Sequence, residues 1–447
     1  MEINVTYPWH DDSMTTQTDI VLSQGFEKNS QGVLTRFIEL PSGTYRSTIK
    51  ATKKKNEDDL GAWWSAYLQG HQSPLATTKL GDISVAELFC GPGGLAQGVK
   101  QACFELGYRF NSRSAVDVDT DALAVYKLNH DTPFTTDESI TDLLDYRVIG
   151  EGEQVRFSKS PVITDEAFKK SVKNIDLLLA GPPCQGHSNL NNHTRRDDER
   201  NELYLTVPAL AIAANIPGII IENVPEVVHD RSGVVAKTEK LLLDAGYKIE
   251  SGVLRADTLG WPQTRKRFFL IARKNFSPLP IESITSALQH PAKSSVWALE
   301  DIADHEPDDF MNRQPKAKPN TIRRIQWLFD NEEYNLALSE RPDCHKSGTT
   351  YSACYGRMYP DKPAPTLTTG FMTPGRGRFV HPTRRRVLTP REAARIQGFP
   401  DDYLWKSEEA SRPKIQAIAK WIGDAVPMPL GHAAALSLLG EGPLKRK

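Results

Sequence analysis

The sequence lacks the features that mark membrane-spanning and secreted proteins. No apolar run reaches the roughly 18 residues that a transmembrane helix needs. The first residues, MEINVTYPWHDD, have neither the basic stretch nor the apolar core of a secretory signal. With 39% hydrophobic and 25% charged residues, the composition is that of a water-soluble globular protein. We therefore expect no membrane partner.

Cysteine is scarce and scattered. The 447 residues include five cysteines, an odd number without any CxxC pair, namely Cys90, Cys103, Cys184, Cys344 and Cys354. This pattern argues against a disulfide framework and against a structural metal site. It indicates a reducing compartment, which we expect to be the cytosol.

An overall basic charge is also missing, since the formal net charge is −1. The distribution of charge is more informative than its sum. Between Arg376 and Arg391 the sequence has six arginines and no acidic residue. Such a run is either a solvated surface or a set of contacts to nucleic-acid phosphates.

Alternating strand and helix patterns begin near Ile83. Apolar strands such as SVAELF, NIDLLLAG and GIIIENV are separated by helical stretches, which predicts a mostly parallel sheet with helices on both faces. The alternation stops in a segment rich in proline, glycine and polar residues. We expect an N-terminal extension of uncertain fold (1–80), a catalytic domain (81–274), an irregular inserted domain (275–385) and a C-terminal part that completes the catalytic domain (386–447). The extension either packs on the catalytic domain or forms a separate interaction element.

The first strand leads into a glycine-rich turn, CGPGG, and the second strand ends near Asp117, about 23 residues after Gly94. Glycines allow a helix N-terminus to approach a ligand closely, and an acid in this position accepts hydrogen bonds from ribose hydroxyls. A tight structural turn is the alternative for the glycines alone. Together, the two signals favour a nucleoside-containing cofactor.

Two later strands deliver reactive side chains to one edge of the predicted sheet. GPPCQGHSN places Cys184 directly after a buried strand, and IIIENV does the same for Glu222. These strands should be neighbours, so a thiol and a carboxyl group would meet over one crevice. The segment QTRKR adds Arg265 and Arg267 at the start of the last strand.

These blocks, in this order, resemble the DNA cytosine-5 methyltransferase family. The resemblance covers residues 83–440 and includes FCGPGG, GPPCQGHS, ENV, QTRKR and the C-terminal blocks RRRVLTPREAARIQGFPDDY and WIGDAVPMPLGHAAA. It implies a Rossmann-like α/β fold that uses S-adenosylmethionine, with an inserted irregular target-recognition domain.

The resemblance also implies roles for individual residues. Cys184 is the nucleophile, Glu222 contacts the cytosine at nitrogen 3 and its amine, and Arg267, with Arg265 close by, reaches the carbonyl oxygen. The implied cofactor-binding residues are Phe89, Gly91, Gly93, Gly94, Asp117, Asp137, Pro183, Asp424 and Val426. Asp424 departs from the family, which commonly has asparagine in the motif GNxV.

The predicted activity is methylation of carbon 5 of a cytosine that has flipped out of double-stranded DNA. We expect the protein to act as a monomer on DNA. The sequence leaves open whether a cognate restriction or defence system accompanies it. Alternatives are a tRNA cytosine-5 methyltransferase, a catalytically silent DNA-binding regulator, and a dinucleotide oxidoreductase suggested by the first strand–helix–strand unit.

Overall fold

The structure, a computed structural model, describes residues 22–51, 57–70, 74–183, 203–304, 309–346, 353–406 and 413–444. The described strands are β1 (Ser23–Lys28), β2 (Val33–Leu40), β3 (Gly43–Lys50), β4 (Leu75–Ala76), β5 (Gly81–Leu88), β6 (Tyr108–Val116), β7 (Phe134–Thr136), β8 (Leu144–Asp145), β9 (Val148–Ile149), β10 (Arg156–Phe157), β11 (Val162–Ile163), β12 (Leu177–Ala180), β13 (Gly218–Asn223), β14 (Tyr247–Arg255) and β15 (Lys266–Lys274). The described α-helices are α1 (Asp59–Leu68), α2 (Gly94–Glu105), α3 (Thr120–His130), α4 (Ile140–Leu143), α5 (Glu166–Ser171), α6 (Thr206–Ala213), α7 (Val234–Asp244), α8 (Ile281–Leu288), α9 (Ser295–Leu299), α10 (Pro319–Asp330), α11 (Asp343–Lys346), α12 (Pro390–Gln397), α13 (Ile415–Asp424) and α14 (Met428–Leu439).

A seven-stranded sheet forms the centre of the molecule, in the order β14-β15-β13-β12-β5-β6-β7. The strands from β13 to β7 pair in parallel, whereas β15 runs antiparallel to both β13 and β14. The predicted α/β fold with a mostly parallel sheet is confirmed. The predicted neighbourhood of the fourth and fifth strands is confirmed as well, because Leu179 of β12 pairs with Ile220 of β13.

Both faces of the sheet are covered by helices, as the apolar strands predict. Leu177 and Leu179 of β12 pack into a core shared with α2 and α14. Leu178 and Ala180 point the other way, into a core shared with α6 and α7. A strand that alternates between two cores has no solvent-facing side, which is why β12 reads as an uninterrupted apolar run.

The N-terminal extension contains an antiparallel sheet, β1-β2-β3-β4, followed by α1. Arg36 of β2 forms an ion pair with Glu105 of α2 at 3.0 Å, and both side chains are almost fully buried. Tyr67 of α1 donates a hydrogen bond to the Gly398 carbonyl oxygen at 2.8 Å. These contacts favour the first of the two alternatives for the extension, since it packs on the catalytic domain.

The segment from 275 to 385, here called the irregular region, has no strand longer than an isolated bridge in its described residues. It contains α8 to α11 and short 3₁₀-helices, including Pro374–Arg376. Helix α12 follows it and begins with the predicted capping box of Thr389 and Glu392. The domain boundaries themselves remain predictions.

Within the described residues, no helix is long and apolar enough to cross a membrane.

Candidate active site

Parallel strands bring the predicted site residues to one edge of the sheet. The loop 89–94 follows β5, Asp117 follows β6, Gly181 follows β12, and Glu222 lies at the end of β13. Since ligands of such sheets bind beyond the carboxyl ends of the strands, this edge is the candidate site.

Asp117 organises the glycine-rich loop. Its carboxylate accepts hydrogen bonds from the backbone N–H groups of Gly91 at 2.7 Å and Asp119 at 2.9 Å. Burial raises the pKa of Asp117, and the two N–H groups oppose that shift. Each carboxylate oxygen accepts more than one hydrogen bond, so Asp117 can hold the loop and still accept hydrogen bonds from a ribose.

The loop packs closely against the turn that joins α13 to α14. A Cβ atom on Gly94 would lie 2.7 Å from the Val426 carbonyl oxygen, so only glycine allows this approach. Gly93 has a φ of 93°, and a Cβ atom there would lie 2.5 Å from His130 Nε2. The structure thus brings Val426 to the loop, although more than 300 residues separate them in sequence.

The space beside the loop is suited to a nucleoside. A Cβ atom on Gly91 would meet no other atom within 4 Å, so the loop borders an open crevice. Phe89 is half-buried and has a positive φ of 56°, a conformation that costs energy for a residue with a side chain. Val118, which our sequence analysis did not single out, is 71% exposed next to Asp117. An exposed apolar side chain and a carboxylate match a purine base and a ribose.

Asp137 lies one strand further along the sheet. It follows β7, is exposed, and accepts a hydrogen bond from Thr120 at 3.2 Å. The described contacts do not join it to the glycine-rich loop.

Glu222 and Arg267 form a pair at the centre of the site. Arg267 Nε lies 2.8 Å from Glu222 Oε1, with both side chains largely buried. Burial raises the pKa of Glu222 above its ordinary value, although the positive charges of Arg267 and Arg265 oppose the shift. A carboxyl group in this environment retains its proton to higher pH and can donate it to a ligand.

Arg265 holds the surrounding backbone in place. Its guanidinium donates to the carbonyl oxygens of Leu367 at 2.6 Å and Asp424 at 3.5 Å. The Asp424 side chain itself is exposed and lies 3.4 Å from Lys420 Nζ. Its negative charge contributes to the raised pKa of Glu222.

The segment that leads to Cys184 lies against Glu222. A Cβ atom on Gly181 would be 3.6 Å from Glu222 Oε2 and 3.9 Å from the Phe89 carbonyl oxygen. Asn223 donates a hydrogen bond to the Pro182 carbonyl oxygen at 3.2 Å. Pro183 is half-buried and is the last described residue of this segment, and Cys184 and the loop after it lie outside the described residues.

Glu87 is a second buried carboxyl group that the sequence analysis did not identify. It lies on β5 and is hydrogen-bonded to Tyr126 and to the backbone of Ala96, directly beneath the loop. Burial raises the pKa of Glu87 to about 8, and the charge of Asp117 adds to the shift. The only signal in the sequence was an acid inside an apolar strand.

Comparison with known proteins supports this description. A family model described as C-5 cytosine-specific DNA methylase matches residues 83–439. The chain is 38% identical over 378 residues to the type II methyltransferase M1.BsuMI of Bacillus subtilis (strain 168), covering 84% of each protein. It is 30% identical over 363 residues to the type II methylase M.HgiDII of Herpetosiphon aurantiacus, covering 79% of this chain and 94% of that protein.

Solved structures show the same fold at lower sequence identity. A DNA modification methyltransferase encoded within an E. coli prophage aligns with a TM-score of 0.50 and 22% identity, covering 80% of this chain and 98% of that one. The Entamoeba histolytica methyltransferase EhMeth aligns with a TM-score of 0.50 and 16% identity, covering 82% and 99%. Because the family model spans most of the sequence, the chain belongs to the C-5 cytosine-specific DNA methylase family and is a DNA cytosine methyltransferase.

Proposed function

We propose that this protein methylates carbon 5 of a cytosine flipped out of a specific duplex DNA sequence, with Cys184 as covalent nucleophile. The observation that carries the proposal is the buried pair of Glu222 and Arg267 beside Gly181, three residues before Cys184. The family model, whose description names DNA, favours DNA over the tRNA alternative.

The chemistry requires an activated ring, because carbon 5 of cytosine is a poor nucleophile. Addition of the Cys184 thiolate to carbon 6 makes carbon 5 electron-rich. Once carbon 5 carries the methyl group, it loses its proton, and the thiolate leaves carbon 6 so that the ring is restored. Glu222, whose raised pKa favours its protonated form, donates at nitrogen 3 as negative charge develops on the ring. Arg267 stabilises the carbonyl oxygen. None of these atoms can be reached inside a base-paired duplex, so the base must leave the stack.

The family implies S-adenosylmethionine, which supplies an electrophilic methyl group when bound. In our proposal Asp117 accepts hydrogen bonds from its ribose hydroxyls and Val118 contacts its adenine. The remaining proposed contacts are Phe89, Gly91, Gly93, Gly94, Asp137, Pro183, Asp424 and Val426. Asp117→Ala should abolish measurable cofactor binding by calorimetry, because the variant also loses the bond that holds Gly91.

Bisulfite sequencing of DNA from cells that express the protein tests the activity and reveals its target site. We expect one short sequence to carry 5-methylcytosine, and Cys184→Ser to leave the DNA unmodified. DNA without 5-methylcytosine, in which mass spectrometry of the nucleosides instead finds methylated adenine or cytosine methylated at its exocyclic amine, would contradict the proposal.

We also propose that the methylation protects DNA from a restriction enzyme of the same specificity, since the relatives are named as type II methyltransferases. DNA from expressing cells should resist a nuclease that cuts at the mapped site. Full cleavage at methylated copies of that site would contradict this role.

A further inference from the structure

A cationic cavity that is widely open to solvent lies in the irregular region, and all ten of the described residues that line it belong to that region. Its volume is about 660 Å³, and it lies between the start of α10 and the turn at Pro374–Arg376. None of the ten described residues that line it is acidic, and three of them, Lys318, Arg324 and Arg376, are cationic. Thr321, Tyr355 and Thr373, each of which carries a hydroxyl group, are also among the lining residues. This lining suits a group with several anionic oxygens.

Arg376 differs from the other arginines of the arginine-rich run. The other five donate hydrogen bonds to protein oxygens, in agreement with a structural role for most of the run; they are Arg378, Arg384, Arg385, Arg386 and Arg391. The stem of Arg376 packs over Gly370, where a Cβ atom would lie 2.3 Å from Arg376 Cδ. Among the described residues, its guanidinium has no ion-pair or hydrogen-bond partner. The run therefore leaves one cation for a ligand, and that cation lines the cavity.

The wall that carries Arg376 is preorganised. The Thr373 N–H donates to the Gly370 carbonyl oxygen at 2.8 Å, and the Arg376 N–H donates to the Thr373 carbonyl oxygen at 2.9 Å. The Tyr355 N–H donates to the Pro374 carbonyl oxygen at 2.7 Å. Because these turns are fixed before a ligand arrives, binding costs little ordering of the backbone.

The position of Arg324 disfavours a stacked base. The Arg324 guanidinium lies 5.4 Å from the ring centre of Tyr355, so it covers the aromatic surface on which a base would stack. Arg324 Nε donates to the Glu340 carbonyl oxygen at 2.9 Å, which fixes its position. The carboxylate of Glu340 pairs with Arg323, which precedes Arg324 on α10. The cavity thus offers its cations to a phosphate and leaves no free aromatic surface beside Arg324 for a stacked base.

The cavity lies within reach of DNA that occupies the active site. Arg265 donates to the carbonyl oxygen of Leu367, nine residues before Arg376. Even a fully extended chain of nine residues spans only about 32 Å. The segment from Leu367 to Arg376 is shorter than this, because it turns at Gly370 and Thr373. One turn of duplex DNA is about 34 Å long. The cavity is therefore close enough to the active site for a phosphate of the same stretch of duplex as the target cytosine to reach it.

We propose that this cavity binds a backbone phosphate of the DNA within about one helical turn of the target base, and that it adds affinity without reading sequence. The proposal rests on the proposed function, because it takes duplex DNA as the ligand. It assigns Lys318 and Arg376 to positioning of the duplex, while other parts of the irregular region select the bases.

The salt dependence of DNA binding tests the proposal. Each neutralised phosphate contributes a slope of about −0.9 to a plot of log affinity against log salt concentration, equivalent to roughly eightfold in affinity at 0.1 M salt. Binding of the full-length protein to a duplex with the mapped target site, and to an unrelated duplex, is measured by fluorescence anisotropy. The double variant Lys318→Gln/Arg376→Gln should bind each of the two duplexes roughly eightfold more weakly at 0.1 M salt, and the slope should be smaller by about 1. Lys318→Arg/Arg376→Lys should retain the wild-type slope.

The matched control is Lys28→Gln/Lys248→Gln, which removes the same charge from two exposed strand residues outside the irregular region. A cavity variant with the slope and affinity of this control would overturn the proposal, as would a loss confined to the target duplex or a change in the methylated sequence. Wild-type methylation, measured separately by bisulfite sequencing, tests the proposed function. If the wild-type enzyme methylates its site and the cavity variant binds DNA as tightly as the wild type, the phosphate-binding proposal is refuted and the proposed function is not.

Discussion

The central sheet and the irregular region are stabilised in different ways. In the sheet, β12 and the isoleucines of β13 are completely buried between two layers of helices. The irregular region has buried residues of its own, such as Phe371 and Phe379. Many of its other contacts join charged or aromatic side chains near the surface, such as Arg385 with Asp330 at 2.6 Å and Arg357 at 3.9 Å from the ring centre of Phe329. Buried packing constrains every residue of a strand, whereas exposed pairs can be exchanged at small cost. A family can therefore keep one chemistry on the sheet while the irregular region changes.

The largest expected effect comes from a buried charge in the layer that covers the sheet. Arg36→Met should lower the free energy of unfolding by about 3–5 kcal/mol, because the buried Glu105 loses its arginine partner and, among the described residues, keeps only His432 and Trp63 as hydrogen-bond partners. Urea denaturation measures the loss. Arg36→Met/Glu105→Gln should recover much of it, since a neutral amide still accepts the hydrogen bond from Trp63. If Arg36→Met alone is as stable as the wild type, this ion pair does not stabilise the fold.

Glu87 should make the sheet sensitive to pH. Its pKa of about 8 in the folded protein exceeds its ordinary value of 4.5, so the folded state holds a proton that the unfolded chain releases. The contribution of Glu87 to stability is therefore full at acidic pH and is lost as the pH rises toward 8. Glu87→Gln should gain stability relative to the wild type between pH 5 and pH 8, by a few kcal/mol. Thermal unfolding of the two proteins measures this gain. A difference in melting temperature between Glu87→Gln and the wild type that does not change from pH 5 to pH 8 would contradict the raised pKa of Glu87.

In the irregular region, Arg385→Ala should cost no more than about 1 kcal/mol. Arg385 and Asp330 are both half-exposed, and water solvates the charges once the pair is broken. Urea denaturation of this variant beside Arg36→Met compares the two regions directly. A loss as large as that of Arg36→Met would mean that the irregular region is held together as tightly as the sheet.

The smallest expected effect is at Asp424, where the sequence departs from the family. Asp424→Asn removes a charge that raises the pKa of Glu222. The pKa of Glu222 should fall, so the activity that depends on its protonated form should be lost at a lower pH than in the wild type. Cofactor affinity should change by less than tenfold, about 1.4 kcal/mol, because the Asp424 side chain is exposed. A larger loss of affinity by calorimetry would give this carboxylate a specific role.

The sheet could be predicted because its signal is local. GIIIENV and NIDLLLAG indicate buried strands by themselves, and the order of strands then places Glu222 beside the segment that leads to Cys184. The N-terminal sheet could not be predicted in the same way. Every second residue of β2 is buried, but Arg36 occupies one of those inward positions and interrupts the apolar pattern. Its partner, Glu105, lies 69 residues away.

The positions of the site residues could be predicted from the strands that carry them, but their partners on distant segments could not. Strand ends fix the positions of Asp117 and Glu222, whereas Arg265 bonds to Leu367, 102 residues further along the chain. Nothing near QTRKR indicates that one arginine pairs with Glu222 and the other holds the backbone. Likewise, the arginine-rich run does not reveal which of its members has a protein partner, because those partners lie on distant segments.

The central claim is the covalent attack by Cys184 on carbon 6, and a mechanism-based trap tests it most directly. A duplex with 5-fluorocytosine at the mapped target position is incubated with the protein and S-adenosylmethionine. Fluorine cannot leave carbon 5 as a cation, so the enzyme should remain covalently joined to DNA after denaturation, through the peptide that contains Cys184. Cys184→Ser should form no adduct but should still bind the duplex, and Glu222→Gln should form the adduct slowly, since an amide does not supply the proton at nitrogen 3. A wild-type protein that methylates ordinary DNA yet never forms the adduct would contradict the covalent mechanism.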